Sequence, residues 1–266
     1  MKAKIYRYPV TSYFVLAYAA SWVGSLITVG PKFFRGEALL DSDILLLALP
    51  MFLGPPLASI GMTILLEGKQ GIQNLISRMR IWKLHGWYLA LLIFPLLIVL
   101  VLGSLSIFIS DAFAPNFLAI GMIGGLLAGF LEEIGWTGFA FPKMQEQHGA
   151  LKAAIILGLL HGFWHILPGY LGSSGTQGVY WLPNFISLWI IGMTAMRILL
   201  VWVYVNTGSL LMGQLMHASS TGFLIVLSPS PISPLNETYW FLIYALLLSI
   251  LAVLIAAKSG KTLKYP

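Results

Sequence analysis

The chain has 266 residues, of which 58% are apolar and only 9% charged, and its mean hydropathy is +0.87. Soluble domains carry about 25% charged residues, so these values exclude a soluble globular protein and leave an integral membrane protein whose first partner is the lipid bilayer. Having no cysteine excludes disulfides, thiolate metal ligands and a cysteine nucleophile, and the net charge of +6 follows membrane topology rather than marking a nucleic-acid surface.

The N-terminus is basic (Lys2, Lys4, Arg7) and then apolar over 9–30. It lacks a small-residue cleavage site and is long enough to span, so it reads as a first transmembrane helix rather than a signal peptide. Further apolar runs of about 20 residues, the length a helix needs to cross a bilayer, follow at 44–66, 87–109, 117–141, 151–168, 183–205, 209–227 and 239–257. Pro31, Gly68, Pro115, Pro142, Pro168 and the Pro229–Pro234 cluster punctuate the joints. The stretch 71–84 mixes apolar and basic residues and reads as an amphipathic connector in the headgroup region. Residues 169–178 (GYLGSSGTQG) read as an uncharged, flexible outer loop.

This pattern predicts an all-α fold, a polytopic membrane helix bundle of about eight transmembrane helices forming one domain over 1–266. With the N-terminus inside, twelve of the fifteen Lys and Arg residues fall on inner segments, two (Lys32, Arg35) on outer ones, and Arg197 inside a span. The positive-inside rule then places both termini in the cytoplasm. In a prokaryote, the membrane would be the plasma membrane.

Few ionisable groups lie within the spans: Glu132, Glu133, His161, His165, Arg197 and His217. An acidic side chain at the centre of a transmembrane helix costs roughly 2.5–3.5 kcal/mol, and here two are adjacent. Counting about 1.5 Å of rise per residue from the cytoplasmic ends puts all six groups roughly 12–20 Å deep. This requires that the fourth span run on through Gly135 to Pro142. Two carboxylates, three imidazoles and a guanidinium from four helices then share one layer.

Several chemistries are compatible with membrane-buried polar groups. Gly172-Ser173-Ser174-Gly175 spells the GxSG of serine-type intramembrane proteases, but in an outer loop remote from His217. Aspartyl chemistry lacks its pair, because Asp41, Asp43 and Asp111 lie in or beside outer segments. HExxH is absent, although His161, His165 and His217 with a glutamate form a donor set that zinc accepts in principle. A carboxylate removed from water is a stronger base and activates a water directly, with imidazoles to orient the water and stabilise an oxyanion. Carboxylates in a membrane also mark ion-coupled transporters, but no inverted repeat is evident here.

From about Gly121 to Thr221, three motifs resemble those of the CAAX-protease and bacteriocin-processing (CPBP, or ABI) membrane proteins. Glu132-Glu133-Ile134-Gly135-Trp136-Thr137-Gly138 is similar to EExxxR, His161-Gly162-Phe163-Trp164-His165 to FxxxH, and His217-Ala218-Ser219-Ser220-Thr221 to HxxxN. Val201-Trp202-Val203-Tyr204 and Asn206-Thr207-Gly208-Ser209 also look like the segment that precedes the third motif.

The resemblance implies an intramembrane endopeptidase of glutamate type, with a core at about 117–227. It makes Glu132 the general base, His165 its partner in holding water, and His217 with Thr221 the oxyanion site. Glu133 supports the site. Thr137, His161 and Thr221 replace the motif arginine, phenylalanine and asparagine, and Arg197 is expected to pair with Glu133 in place of the missing arginine. His161 and Arg197 are therefore supporting residues. No cofactor is implied, with a zinc-dependent protease as one alternative and a non-catalytic immunity factor or scaffold as another. The expected partner is a peptide or membrane-anchored protein substrate, and no nucleic acid.

Overall fold

A computed structural model describes residues 2–229 and 231–265, with the side chains of residues 2–4 and 41 outside that description. Lys2 and Lys4, counted in the topology reading, and Asp41, weighed for aspartyl chemistry, are among those side chains, and Ser230 of the Pro229–Pro234 joint is not described. Helices α1 (Lys2–Arg7), α2 (Pro9–Thr28) and α3 (Gly30–Phe34) open the chain, and α4 (Asp41–Met79) follows. A 3₁₀ turn, His85–Leu92, leads into α5 (Ile93–Phe108). The central helices are α6 (Ile120–Gly135), α7 (Phe141–His148), α8 (Ala150–Trp164), α9 (Ile166–Gln177) and α10 (Trp181–Phe185). Helices α11 (Met193–Thr207), α12 (Leu210–Val226) and α13 (Pro234–Ser259) complete the bundle. Among the described residues there is no strand, as expected where every backbone polar group must be satisfied within its own segment.

Among the described residues, five helical stretches are long and apolar enough to cross a membrane: Pro9–Thr28, Ser42–Met79, His85–Phe108, Ile166–Thr207 and Pro234–Thr262. Ala150–Trp164 and Leu210–Val226 are apolar but shorter, and α6 runs on through further helical turns to His148. The chain is therefore an integral, multi-pass membrane protein.

At Gly68 the backbone is non-helical (φ 60°, ψ −147°), so α4 is two helices joined across a kink, and most of the expected connector at 71–84 lies in the second of them. Leu75 is buried there, and Arg78 donates to the carbonyl of Gly138 at 2.7 Å and to the Tyr204 hydroxyl at 2.9 Å. The supposed outer loop at 169–178 is helical as far as Gln177, and the chain turns only at Gly178, where φ is 54°. Ser173 donates to the carbonyl of Gly169 in its own helix.

Close helix approach positions the site. Gly121, Gly125 and Gly129 form an i, i+4 stripe on α6 that meets α12. A Cβ on Gly125 would lie 2.5 Å from the Gly222 Cα and from the Ala218 carbonyl oxygen. Small residues at such spacing let backbones touch, which is how membrane helices pack when lipid supplies no hydrophobic drive. Gly158 does the same between α8 and α11, 2.6 Å from the Thr194 Cα and 3.2 Å from the Arg197 Cβ by the same measure. On the other flank, α2 packs on α4 and donates from Tyr18 to the carbonyl of Leu160 and from Trp22 to that of Trp164. The Trp164 carbonyl sits where α8 breaks at His165, and its helical partner four positions on would be Pro168, which has no N–H, so Trp22 satisfies a group the break leaves free.

Candidate active site

The carboxylate pair sits on the last turn of α6, immediately before a π-helical segment, Trp136–Ala140. Single-turn π segments inside α-helices are frequent at functional sites. Here the segment carries helical structure past Gly135 into α7, the continuation that the depth argument required. Trp136 donates from Nε1 to Glu132 Oε2 at 3.3 Å, and the Thr137 hydroxyl donates to Glu133 Oε2. Both carboxylates are thus capped by residues four positions on.

Glu133 is fully buried and meets Arg197 of α11 in a bidentate pair. Nη1 donates to Oε2 and Nη2 to Oε1, each at 2.8 Å, and Nη1 also reaches Thr137 Oγ1 at 3.1 Å. Fork-to-fork geometry of this kind is the strongest form of the arginine–carboxylate bond. The second oxygen of Glu133 also accepts from His217 Nδ1 at 2.7 Å. Because this carboxylate is paired with a guanidinium, His217 Nδ1 is the donor.

Glu132 lies on the other side of the same imidazoles. Its Oε2 is 3.0 Å from His161 Nε2 and 4.0 Å from His217 Nε2. His161 Nδ1 is 2.8 Å from Arg197 Nη2. Five of the seven residues expected from the sequence, Glu132, Glu133, His161, Arg197 and His217, are therefore linked by contacts of 4.0 Å or less.

The other two border this cluster. His165 donates from Nδ1 to the carbonyl of His161 at 3.1 Å, and its ring stacks on Trp189 with centroids 3.7 Å apart. Thr221 lies one helical turn beyond His217 and lines an apolar cavity of about 390 Å³. Trp189, Met193, Leu224, Phe241 and Tyr244 share its wall.

Two contributors were not legible in the motifs. Trp136 is visible only as the residue four positions after Glu132, and Trp189 belongs to a second π-helical segment, Ile186–Gly192. Neither has a sequence signal beyond its aromatic ring.

Residues 114–223 match the family model described as type II CAAX prenyl endopeptidase Rce1-like. The chain is also 24% identical over 260 residues to CAAX prenyl protease 2 of Methanococcus maripaludis, with 88% of each chain covered. The matched segment contains all of the clustered residues and both π-helical segments. Over its central segment the chain is thus similar to the Rce1-like CAAX proteases, and along most of its length to an archaeal CAAX prenyl protease.

Proposed function

We propose that the protein is an intramembrane endopeptidase that hydrolyses a peptide bond with a water activated by Glu132. The observation that carries this reading is the 4.0 Å separation between Glu132 Oε2 and His217 Nε2, a gap that one water hydrogen-bonded to both can span. Glu132 takes a proton from this water as the water oxygen bonds to the scissile carbonyl carbon and the carbonyl π pair moves onto oxygen. The protonated Glu132 then delivers that proton to the amide nitrogen as the C–N bond breaks, releasing a carboxyl group and an amine.

His217 is oriented by Glu133, which accepts its Nδ1–H and leaves Nε2 facing the reaction. A carboxylate in that position stabilises the doubly protonated ring; in that form, with the extra proton taken from solvent before the substrate binds and kept throughout the reaction, Nε2–H donates to the oxyanion beside the Thr221 hydroxyl. His165, with Nδ1 committed to the backbone, keeps Nε2 for the water or the substrate amide. Arg197 keeps Glu133 ionised and so maintains the orientation of His217.

The proposed reaction needs no metal. Ligand atoms of Glu132, His161 and His217 lie within 4.8 Å of one another, a spacing that suits a cation. The donor set does not: a metal on His161 Nε2 requires that nitrogen to be unprotonated, while Nδ1 already faces a guanidinium that only donates. The relative's name supplies a substrate class, a prenylated peptide or protein. The apolar cavity beside Thr221 supports a substrate whose apolar portion lies within the membrane, cut near the cytoplasmic face.

Purified protein in lipid nanodiscs, assayed on fluorogenic peptides with and without an isoprenoid, tests this reading. We expect cleavage that is lost in Glu132→Gln, kept in Ser174→Ala and insensitive to chelators. Unchanged cleavage by Glu132→Gln overturns the catalytic assignment, and chelator inhibition reversed by zinc overturns the metal-free form.

A further inference from the structure

His161 bridges the two carboxylates through opposite edges of one ring. Its Nε2 is 3.0 Å from Glu132 Oε2, and its Nδ1 is 2.8 Å from Arg197 Nη2, whose neighbouring bonds hold Glu133. All four residues are at most 4% exposed, so water does not compete for these bonds.

The chemistry of the partners fixes the ring's protonation. A guanidinium carries N–H donors and no acceptor. The nitrogen that meets Arg197 must therefore present its lone pair, and the neutral ring carries its single proton on Nε2. That proton points at Glu132. A ring with the proton on Nδ1 would set two donors against each other at 2.8 Å and two acceptors at 3.0 Å. A doubly protonated ring would keep the clash with Arg197.

We infer that His161 is a positioning residue, held by Arg197 in its Nε2–H form, which fixes the Glu132 carboxylate and couples it to the Glu133–Arg197 pair. The chain of bonds runs Glu133–Arg197–His161–Glu132, with the Trp136 indole as a second donor on the same Glu132 oxygen. Two donors on Oε2 hold the carboxylate plane in place and leave Oε1 outside these bonds. A base fixed in advance avoids reorganisation during the reaction. Arg197 thereby acts on both glutamates, pairing directly with one and setting the tautomer of the histidine that holds the other. This inference rests on Glu132 being the base, but the protonation state of His161 does not.

The test separates the two. The chain has five histidines, few enough for ¹⁵N-histidine labelling and nitrogen NMR of the full-length protein in nanodiscs, with the His161 signals identified by their loss in His161→Gln. The expected spectrum shows an unprotonated Nδ1 and a protonated Nε2 at His161. A protonated Nδ1 overturns the inference whatever the enzyme's activity.

Kinetics supply the second arm. His161→Phe removes both bonds, and kcat is expected to fall roughly 10- to 100-fold, the scale on which displacing a catalytic group by about 1 Å acts, with KM little changed. His161→Gln offers an amide N–H to Glu132 and an amide oxygen to Arg197, and is expected to recover most of that loss. Equal kcat in the wild type, His161→Phe and His161→Gln, alongside an inactive Glu132→Gln, overturns the positioning role and leaves the base reading standing. An active Glu132→Gln removes the base reading, and the kinetic role of His161 falls with it.

Discussion

Arg197 holds Glu133 through both terminal nitrogens at 2.8 Å each, although the two residues are 64 positions apart in the chain. Neither side chain has measurable exposure. Removing one partner from such a pair leaves an uncompensated charge away from water, at a cost of about 3–5 kcal/mol, whereas replacing both by apolar groups is often neutral. Arg197→Ala and Glu133→Ala should therefore each lower the melting temperature and abolish activity. Arg197→Met combined with Glu133→Leu should recover the melting temperature but not the activity, because His217 loses the acceptor that orients it. Differential scanning fluorimetry beside the peptidase assay checks both. A double variant that also regains activity would remove Glu133 from the mechanism.

General-base assistance is worth roughly 10²–10⁴-fold in rate, so Glu132→Gln should lose at least that range while keeping its fold. Gln has the same length and still offers Oε1 to the Trp136 and His161 donors. Matching melting curves with a collapsed kcat is the expected outcome, and a matching collapse in both would point to a structural role.

The approach of α6 to α12 admits no side chain at Gly125, where a Cβ would lie 2.5 Å from backbone atoms of α12. Overpacking of this kind costs about 1–3 kcal/mol. Gly125→Ala should push the helices apart and weaken the Glu133–His217 bond two turns away, lowering both stability and kcat. Gly124→Ala, one position round the helix, meets only the tip of Ile225 at 3.4 Å and should be nearly silent. Comparing the two variants isolates backbone approach from glycine content.

Past Gly68, α4 is fastened by Arg78 to the carbonyl of Gly138 and the hydroxyl of Tyr204. Beside it is a polar vestibule of about 730 Å³ that includes Lys143, bonded to Glu67 at 2.5 Å. Arg78→Ala should free the segment 69–79 while leaving the buried cluster intact. Limited proteolysis should then cut between Lys69 and Arg80 several-fold faster, with little change in melting temperature.

Topology is directly testable, because the chain has no native cysteine. Thiols introduced at Glu37, Gln147 and Ser259 should label with a membrane-impermeant maleimide from the outside only at position 37. Labelling of 147 or 259 in intact cells would reverse the assigned orientation.

Much of this arrangement is legible in the sequence, for identifiable reasons. The cost of two carboxylates in an apolar run demands compensation, and depth counting finds Arg197 because helical rise is constant. Thr137 in place of an arginine sharpens that expectation, since a charge missing from one helix must come from another. The link between His161 and Glu132 is less accessible. The motif comparison assigns position 161 to an apolar ring, and no periodicity reveals which edge of an imidazole meets which partner. The π-helical segments are equally hidden, because a single i→i+5 turn leaves too small a phase shift in the apolar pattern. Residues 169–177 read as a loop on their glycines and serines, yet Leu171 buries against Val29 and Leu47, and tertiary packing overrides local propensity there.

The bonds from Tyr18 to Leu160 and from Trp22 to Trp164 each span 142 positions. During synthesis, α2 enters the bilayer long before α8 exists. At roughly 5–20 residues per second, its phenol and indole wait on the order of ten seconds for their acceptors. Helix α2 is thus inserted well before α8 and reaches these contacts only once α8 has followed. Assembly of this candidate site closes backwards, onto a helix the ribosome finished earlier.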